Sequence, residues 1–168
     1  MFCRNSLRLF MKDSYFLYVG NAYPHKNVQL LIRAAREAHA RVIYVGKNDY
    51  FYKKLGVVPR TVSDTELTRL YKNAEALVFP SLMEGFGLPA IEALRQGCPV
   101  IVSDIPVFHE LLGESAIYVD PHDSHELARI LASEIDKPKK LTKTYSWSKM
   151  ARETLSIYEA CNRVRSGK

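Results

Sequence analysis

The feature that most limits how this chain can fold is a series of short apolar runs that do not alternate with polar residues. Residues 15–20, 42–46, 57–62, 76–79, 100–102 and 117–119 are strand-sized, and most are apolar at successive positions. A strand reads that way when both faces are covered, as in a parallel sheet between helical layers. Helical spacing fills the gaps. Residues 27–39 carry Leu30, Leu31, Ala34, Ala35 and Ala38 on one side. Ser63-Asp64-Thr65-Glu66 is a capping box that opens a helix to about Asn73. Pro106 starts a short helix through Leu112, and Asp123 to Glu126 forms another N-terminal box ahead of Leu127, Ile130 and Leu131. The series predicts an α/β fold: one doubly wound parallel sheet of about six strands with helices on both faces.

At 168 residues, 47% hydrophobic and 25% charged, the chain has the size and composition of one globular domain. The expected organisation is a lead-in over 1–14, a domain over 15–146, and a C-terminal helix and tail over 147–168. Pro138 and its neighbouring lysines form the linker, and the last helix is expected from about Ser148 to Arg163. MFCRNSLRLF has no continuous apolar core and reads as a surface lead-in rather than a signal peptide. No apolar run is long enough to span a membrane. Cys3, Cys98 and Cys161 are odd in number and far apart, which implies a reducing compartment without a disulfide framework. Cys98 reads as small core filler.

A net charge of +6 suits an anionic partner: a nucleotide, an acidic lipid headgroup or nucleic acid. A lysine-rich solvated surface explains it equally well. The late cations Lys137, Lys139, Lys140, Lys143, Arg163, Arg165 and Lys168 have no aromatic residues interleaved, which argues against nucleic acid.

Polar and special residues follow each apolar run: Asn21 to Asn27, Lys47 to Asp49, Ser63 and Asp64, Glu84 to Leu88, and Ser103 with Asp104. In a parallel sheet these all fall at the carboxyl edge, where open α/β sheets bind ligands. The most informative segment is PSLMEGFGLPAIEALRQGCPVIVSD, residues 80–104. It reads as a glycine loop opening directly into a helix, with Pro89 in the first turn and Glu84 and Glu92 in an E-x7-E pattern. Free amides of such a loop and helix start hold phosphate groups. Glu92 either accepts hydrogen bonds from neighbouring sugar hydroxyls or merely complements the helix dipole. Gly85 and Gly87 either admit a ligand to the backbone or make a tight turn without one. Lys26, in Pro24-His25-Lys26-Asn27, either neutralises a diphosphate leaving group or is an exposed loop lysine. His109 is either surface or site rim, and His25 reads as solvent-facing. His122 and His125 are isolated, and no nucleophilic triad or metal-ligand spacing appears.

Taken together, YFLYVGNAYPHKN, SDTELTRLYKNAEALVFPSLMEGFGLPAIEAL, GCPVIVSD and ESAIYVDP, with Ser146-Trp147-Ser148 before the last helix, resemble one family's motifs in order. That family is the large retaining GT-B fold glycosyltransferase family four. The similarity runs from Tyr15 to about Asn162 and matches the C-terminal, Rossmann-like half of the fold. It implies that Glu92 holds the donor ribose and that Glu84 hydrogen-bonds the transferred sugar. Gly85, Phe86, Gly87 and Leu88 would then line the sugar-diphosphate pocket, with Gly20, Asn21 and Lys26 at the diphosphate and Thr61 and Val62 beside the base. Lys26 and Glu84 are the residues such a resemblance ties to catalysis. It also implies a nucleoside diphosphate sugar donor, GDP- or UDP-linked, and no metal or other cofactor.

The sequence departs from the family pattern in two ways. Many members place an arginine after the first strand's glycine, where this chain has Asn21. The acceptor-binding N-terminal half has no counterpart in the sequence, so an acceptor domain or partner subunit is expected, and transfer by this chain alone is not. The resemblance implies a cytoplasmic protein, with peripheral contact to the inner membrane surface allowed by the late lysines. A second expectation stays open beside the enzyme half: a non-catalytic nucleotide-binding or interaction module whose pocket is a relic.

Overall fold

The order in which the strands are laid down determines where a site can form. A computed structural model describes residues 14–138 and 145–165. Its strands are β1 (Phe16–Val19), β2 (Val42–Val45), β3 (Leu77–Phe79), β4 (Val100–Ser103) and β5 (Ile117–Val119). They form one parallel sheet in the order β2-β1-β3-β4-β5. From β1 the chain first moves outward to β2, then returns past β1 and winds the other way through β3, β4 and β5. The connections that leave β1 and β3 therefore diverge to opposite faces, and a crevice opens between the carboxyl ends of those two strands.

The helices are α1 (Val28–Glu37), α2 (Tyr50–Leu55), α3 (Asp64–Asn73), α4 (Leu88–Arg95), α5 (Pro106–Leu112), α6 (Ser124–Ala132) and α7 (Trp147–Arg165). Among them α1 and α6 pack on one another. On the other layer, the Tyr71 hydroxyl of α3 reaches Glu92 of α4. Both expected capping boxes cap helices: Ser63 Oγ accepts from Glu66 N–H at 3.2 Å, and Asp123 Oδ1 accepts from His125 and Glu126 N–H at 2.8 and 2.9 Å. The central strands are sealed on both faces. Leu17, Tyr18, Leu77, Val78, Ile101 and Val102 have essentially no exposure, and Phe79 and Phe108 pack edge to face between the sheet and α5. Burying each such side chain contributes roughly 1.5–3 kcal/mol. Cys98 is buried at the α4–β4 junction, and burial pushes its thiol up to about 12.

Two expectations need correction. Residues 57–62 are not a sixth strand: only Arg60 bridges to Val45, through Arg60 N–H to the Tyr44 carbonyl and Gly46 N–H to the Arg60 carbonyl. Pro59, which has no N–H to donate, stops the ladder beside the sheet edge. Conversely, α2 was not expected. Asp49 caps it by accepting from Phe51 and Tyr52 N–H, and Gly56 closes it at φ +66°. Residues 1–13 of the lead-in and the lysines Lys139, Lys140, Lys143 and Lys168 lie outside the described residues, as does Cys3. Among the described residues no helix is long and apolar enough to cross a membrane.

Helix α7 stands clear of the domain, with Trp147, Leu155, Ile157 and Tyr158 all exposed. Its start is moored by Tyr145, whose hydroxyl donates to the Leu111 carbonyl at 3.1 Å and whose own carbonyl accepts from the Arg95 guanidinium at 2.6 Å.

The close approach of the loops after β1 and β2 rests on Gly46. A Cβ there would lie 2.2 Å from the Gly20 carbonyl oxygen. Tyr52, fully buried, locks the same carbonyl by donating to it at 2.8 Å. Gly46→Ala is expected to cost about 1–3 kcal/mol through this backbone overlap, read as a lowered urea midpoint with an unchanged slope.

Candidate functional site

The crevice between β1 and β3 brings Lys26 and Glu84 together, 58 residues apart in sequence. Lys26 ends a short 3-10 turn, Pro24–Lys26, which Asn27 terminates in the left-handed region at φ 53°. Two bonds fix this turn. Its His25 carbonyl accepts from Leu82 N–H of the β3 loop at 2.8 Å, and Asn27 Nδ2 donates to the Pro121 carbonyl beyond β5, also at 2.8 Å. The ammonium of Lys26 then meets Glu84 Oε1 at 2.5 Å and lies 5.3 Å from the centre of the Phe79 ring. Ser81 Oγ donates to the same oxygen at 2.8 Å.

The pair is largely shielded from water, with side chains 16% and 8% exposed. Its geometry is one-sided. Both donors hold Oε1, and among the described residues no protein donor meets Oε2. An ammonium carries three N–H groups, so Lys26 keeps donors beyond the one given to Glu84. The carboxylate is thus anchored by one oxygen and presents the other.

The loop that follows behaves differently at its two glycines. Gly87 is required by the fold: it takes φ +76° as the N-cap of α4, and a Cβ there would press to 2.7 Å from the Phe108 ring. At Gly85 a Cβ would meet nothing within 4 Å, so packing does not demand glycine. Among the described residues the N–H groups of Gly85, Phe86 and Gly87 have no protein acceptor. Helix α4 has no side-chain cap either, and Leu88 and Pro89 form its first turn. Phe86 and Leu88 are exposed, with Phe86 packed edge-on against Tyr145.

Glu92 lies in the second turn of α4, and it is exposed. Tyr71 OH donates to its Oε2 at 3.1 Å. Burial and then the Glu92 charge push the Tyr71 phenol far up, so the hydroxyl remains a donor. Among the described residues no hydrogen bond or ion pair joins Glu92 to the Lys26–Glu84 pair. Gly20 and Asn21 form the other lip of the crevice. Their carbonyls accept from Tyr52 and Tyr18 hydroxyls, and Asn21 Oδ1 accepts from Tyr23 N–H at 3.3 Å, which leaves its Nδ2 as the free donor. Thr61 and Val62 follow the Arg60 bridge on the outer side of β2, and neither is among the hydrogen-bond partners of the pair. His109 meets Asp104 Oδ1 at 2.5 Å and stacks on Tyr118 at 4.1 Å, at the end of β4 and half exposed. Sequence reasoning missed Ser81 and Tyr71. Ser81 follows Pro80 directly after β3, a position that could have flagged it; nothing in the spacing marks Tyr71.

The fold has known counterparts. Sucrose-phosphate synthase from Thermosynechococcus elongatus superposes with a TM-score of 0.70 at 24% identity, over 96% of this chain and 49% of that one. The pneumococcal O-GlcNAc transferase GtfA superposes at 0.57 with 20% identity, over 73% and 28%. The fold is that of one half of a GT-B glycosyltransferase. Residues 2–153 match the glycosyl transferases group 1 family, and the chain belongs to it. O-antigen chain mannosyltransferase RfbU of Salmonella typhimurium is 43% identical over 126 residues, 67% of this chain and 36% of its own length. O-antigen chain mannosyltransferase B of Escherichia coli is 30% identical over 179 aligned residues, 88% and 46%. The chain therefore spans less than half the length of these relatives.

Removing one member of the shielded pair strands the other. Lys26→Met is expected to destabilise the fold by about 3 kcal/mol, and Lys26→Met with Glu84→Gln by clearly less. Chemical denaturation of the four species of this cycle measures the coupling; simple additivity would mean that the pair carries none.

Proposed function

We propose that this chain is the donor-binding half of a retaining glycosyltransferase that moves a hexose, mannose first among them, from a nucleoside diphosphate to a sugar or lipid-linked acceptor. The observation that carries this reading is the crevice itself, where a half-anchored carboxylate stands beside a lysine and a run of unengaged backbone amides. Glu84 Oε2 suits a sugar hydroxyl. The amides of Gly85, Phe86 and Gly87, together with Lys26, suit the pyrophosphate. As the bond from the anomeric carbon to the diphosphate oxygen breaks, negative charge grows on that oxygen, and Lys26 stabilises it there. Glu92, on the exposed flank of α4, suits the ribose diol, with Tyr71 holding its other side. Thr61 and Val62 would border the base at the outer side of β2.

The relatives named as mannosyltransferases support mannose, and guanosine is the donor base this reading favours. The acceptor wall belongs to the other half of such an enzyme, and transfer requires that half. The exposed Trp147, Leu155, Ile157 and Tyr158 of α7 suit a surface it would cover. The reaction belongs in the cytoplasm, at or near the inner membrane surface.

Isothermal titration of the 168-residue chain with GDP-mannose, GDP, UDP-glucose and UDP tests this reading. Saturable binding is expected for at least one, tightest for the guanosine pair. Glu92→Ala is expected to weaken it by roughly 1–3 kcal/mol, the worth of charge-assisted hydrogen bonds to a diol. The absence of binding to all four at millimolar concentration would sink the proposal.

A further inference from the structure

A second polar cleft lies away from the β1–β3 crevice, beside the entry of the chain into β1 and β2. There Phe16 N–H donates to the Arg41 carbonyl at 2.9 Å. The cleft is open to solvent and offers about 370 Å³, within the range of small-molecule sites. Tyr15, Ile43 and Leu70 make its buried apolar floor, with the Tyr15 hydroxyl tied to the Leu70 carbonyl at 3.0 Å. Three arginines rim it from separate segments: Arg41 ahead of β2, Arg60 at the bridge outside β2, and Arg69 on α3.

All three arginines are exposed, and among the described residues none pairs with a carboxylate. Their fields converge. Burial raises the Tyr15 phenol above its ordinary value, and each of Arg69, Arg41 and Arg60 draws it back. Like charges gathered round one concavity repel each other and create a positive potential that an anion relieves. Guanidinium forks match phosphate oxygens two at a time, and the shape of the fork as well as its charge contributes. The floor offers apolar contact to whatever the phosphate is attached to.

We propose that the Arg41–Arg60–Arg69 cleft is a second anion site that binds a phosphate group, either on a small soluble ester or on a lipid headgroup. It is separate from the donor crevice and does not depend on the function assigned to that crevice.

NMR titration of the full chain with inorganic phosphate at about 0.15 M salt tests the site, followed by flotation with phosphatidylglycerol or phosphatidylcholine vesicles. The site is supported by saturable shifts of the Arg41, Arg60 and Arg69 side-chain N–H signals. Arg41→Gln with Arg69→Gln should then weaken phosphate at least tenfold, while the urea midpoint of the fold stays unchanged. Arg69→Lys, which keeps the charge and loses the fork, should fall between. Capture by phosphatidylglycerol alone, lost in the double variant, assigns the phosphate to a lipid. Shifts confined to residues 84–88 would overturn the proposal. So would linear, unsaturating shifts over every surface cation, which mean an adventitious ion only; with saturable shifts present, vesicle capture that the double variant retains assigns the phosphate to a soluble ester.

Discussion

The return of the chain past β1 to form β3 is the constraint from which the site follows. Because β2 and β3 flank β1, the loops leaving β1 and β3 diverge and cannot close over the sheet edge between them. Backbone amides and carbonyls at that edge would otherwise need partners. The structure supplies some of them by tying the two loops together, Leu82 to His25, and leaves the amides after Glu84 open. A polar cleft at that place is a consequence of topology before any catalytic residue is considered.

Within that cleft, burial and charge act against each other. A carboxylate as shielded as Glu84 needs a counterion, and Lys26 provides it, with Ser81 adding a neutral hydrogen bond to the same oxygen. The arrangement fixes the acid without exhausting it. The fold also explains Gly87 fully and leaves Gly85 without a steric reason. The difference bears on function, because a glycine the scaffold does not need is one a bound molecule can use.

Much of the architecture was legible in the sequence because a doubly covered strand leaves an unambiguous mark, and because caps such as Ser63 and Asp123 act over three residues. The failures have a common physical cause. Residues 57–62 have strand composition, yet Pro59 and an edge position leave a single bridge. Helix α2 is fewer than two turns of mostly aromatic and lysine residues, too short for a period to show. At the site, spacing pointed to Lys26 and Glu84 separately but could not show that they meet. Nor could it place Tyr71 against Glu92 or gather three arginines around Tyr15, since those contacts are made by packing between elements distant in sequence.

The burial of Cys98 at the α4–β4 junction has a practical consequence. With its sulfur covered and its thiol kept protonated, it can react with an alkylating reagent only when the packing around it opens, whereas Cys161 on α7 stays accessible. The two thiols therefore form an internal stopwatch and its reference: the ratio of their labelling rates reports how often the core at the end of α4 opens.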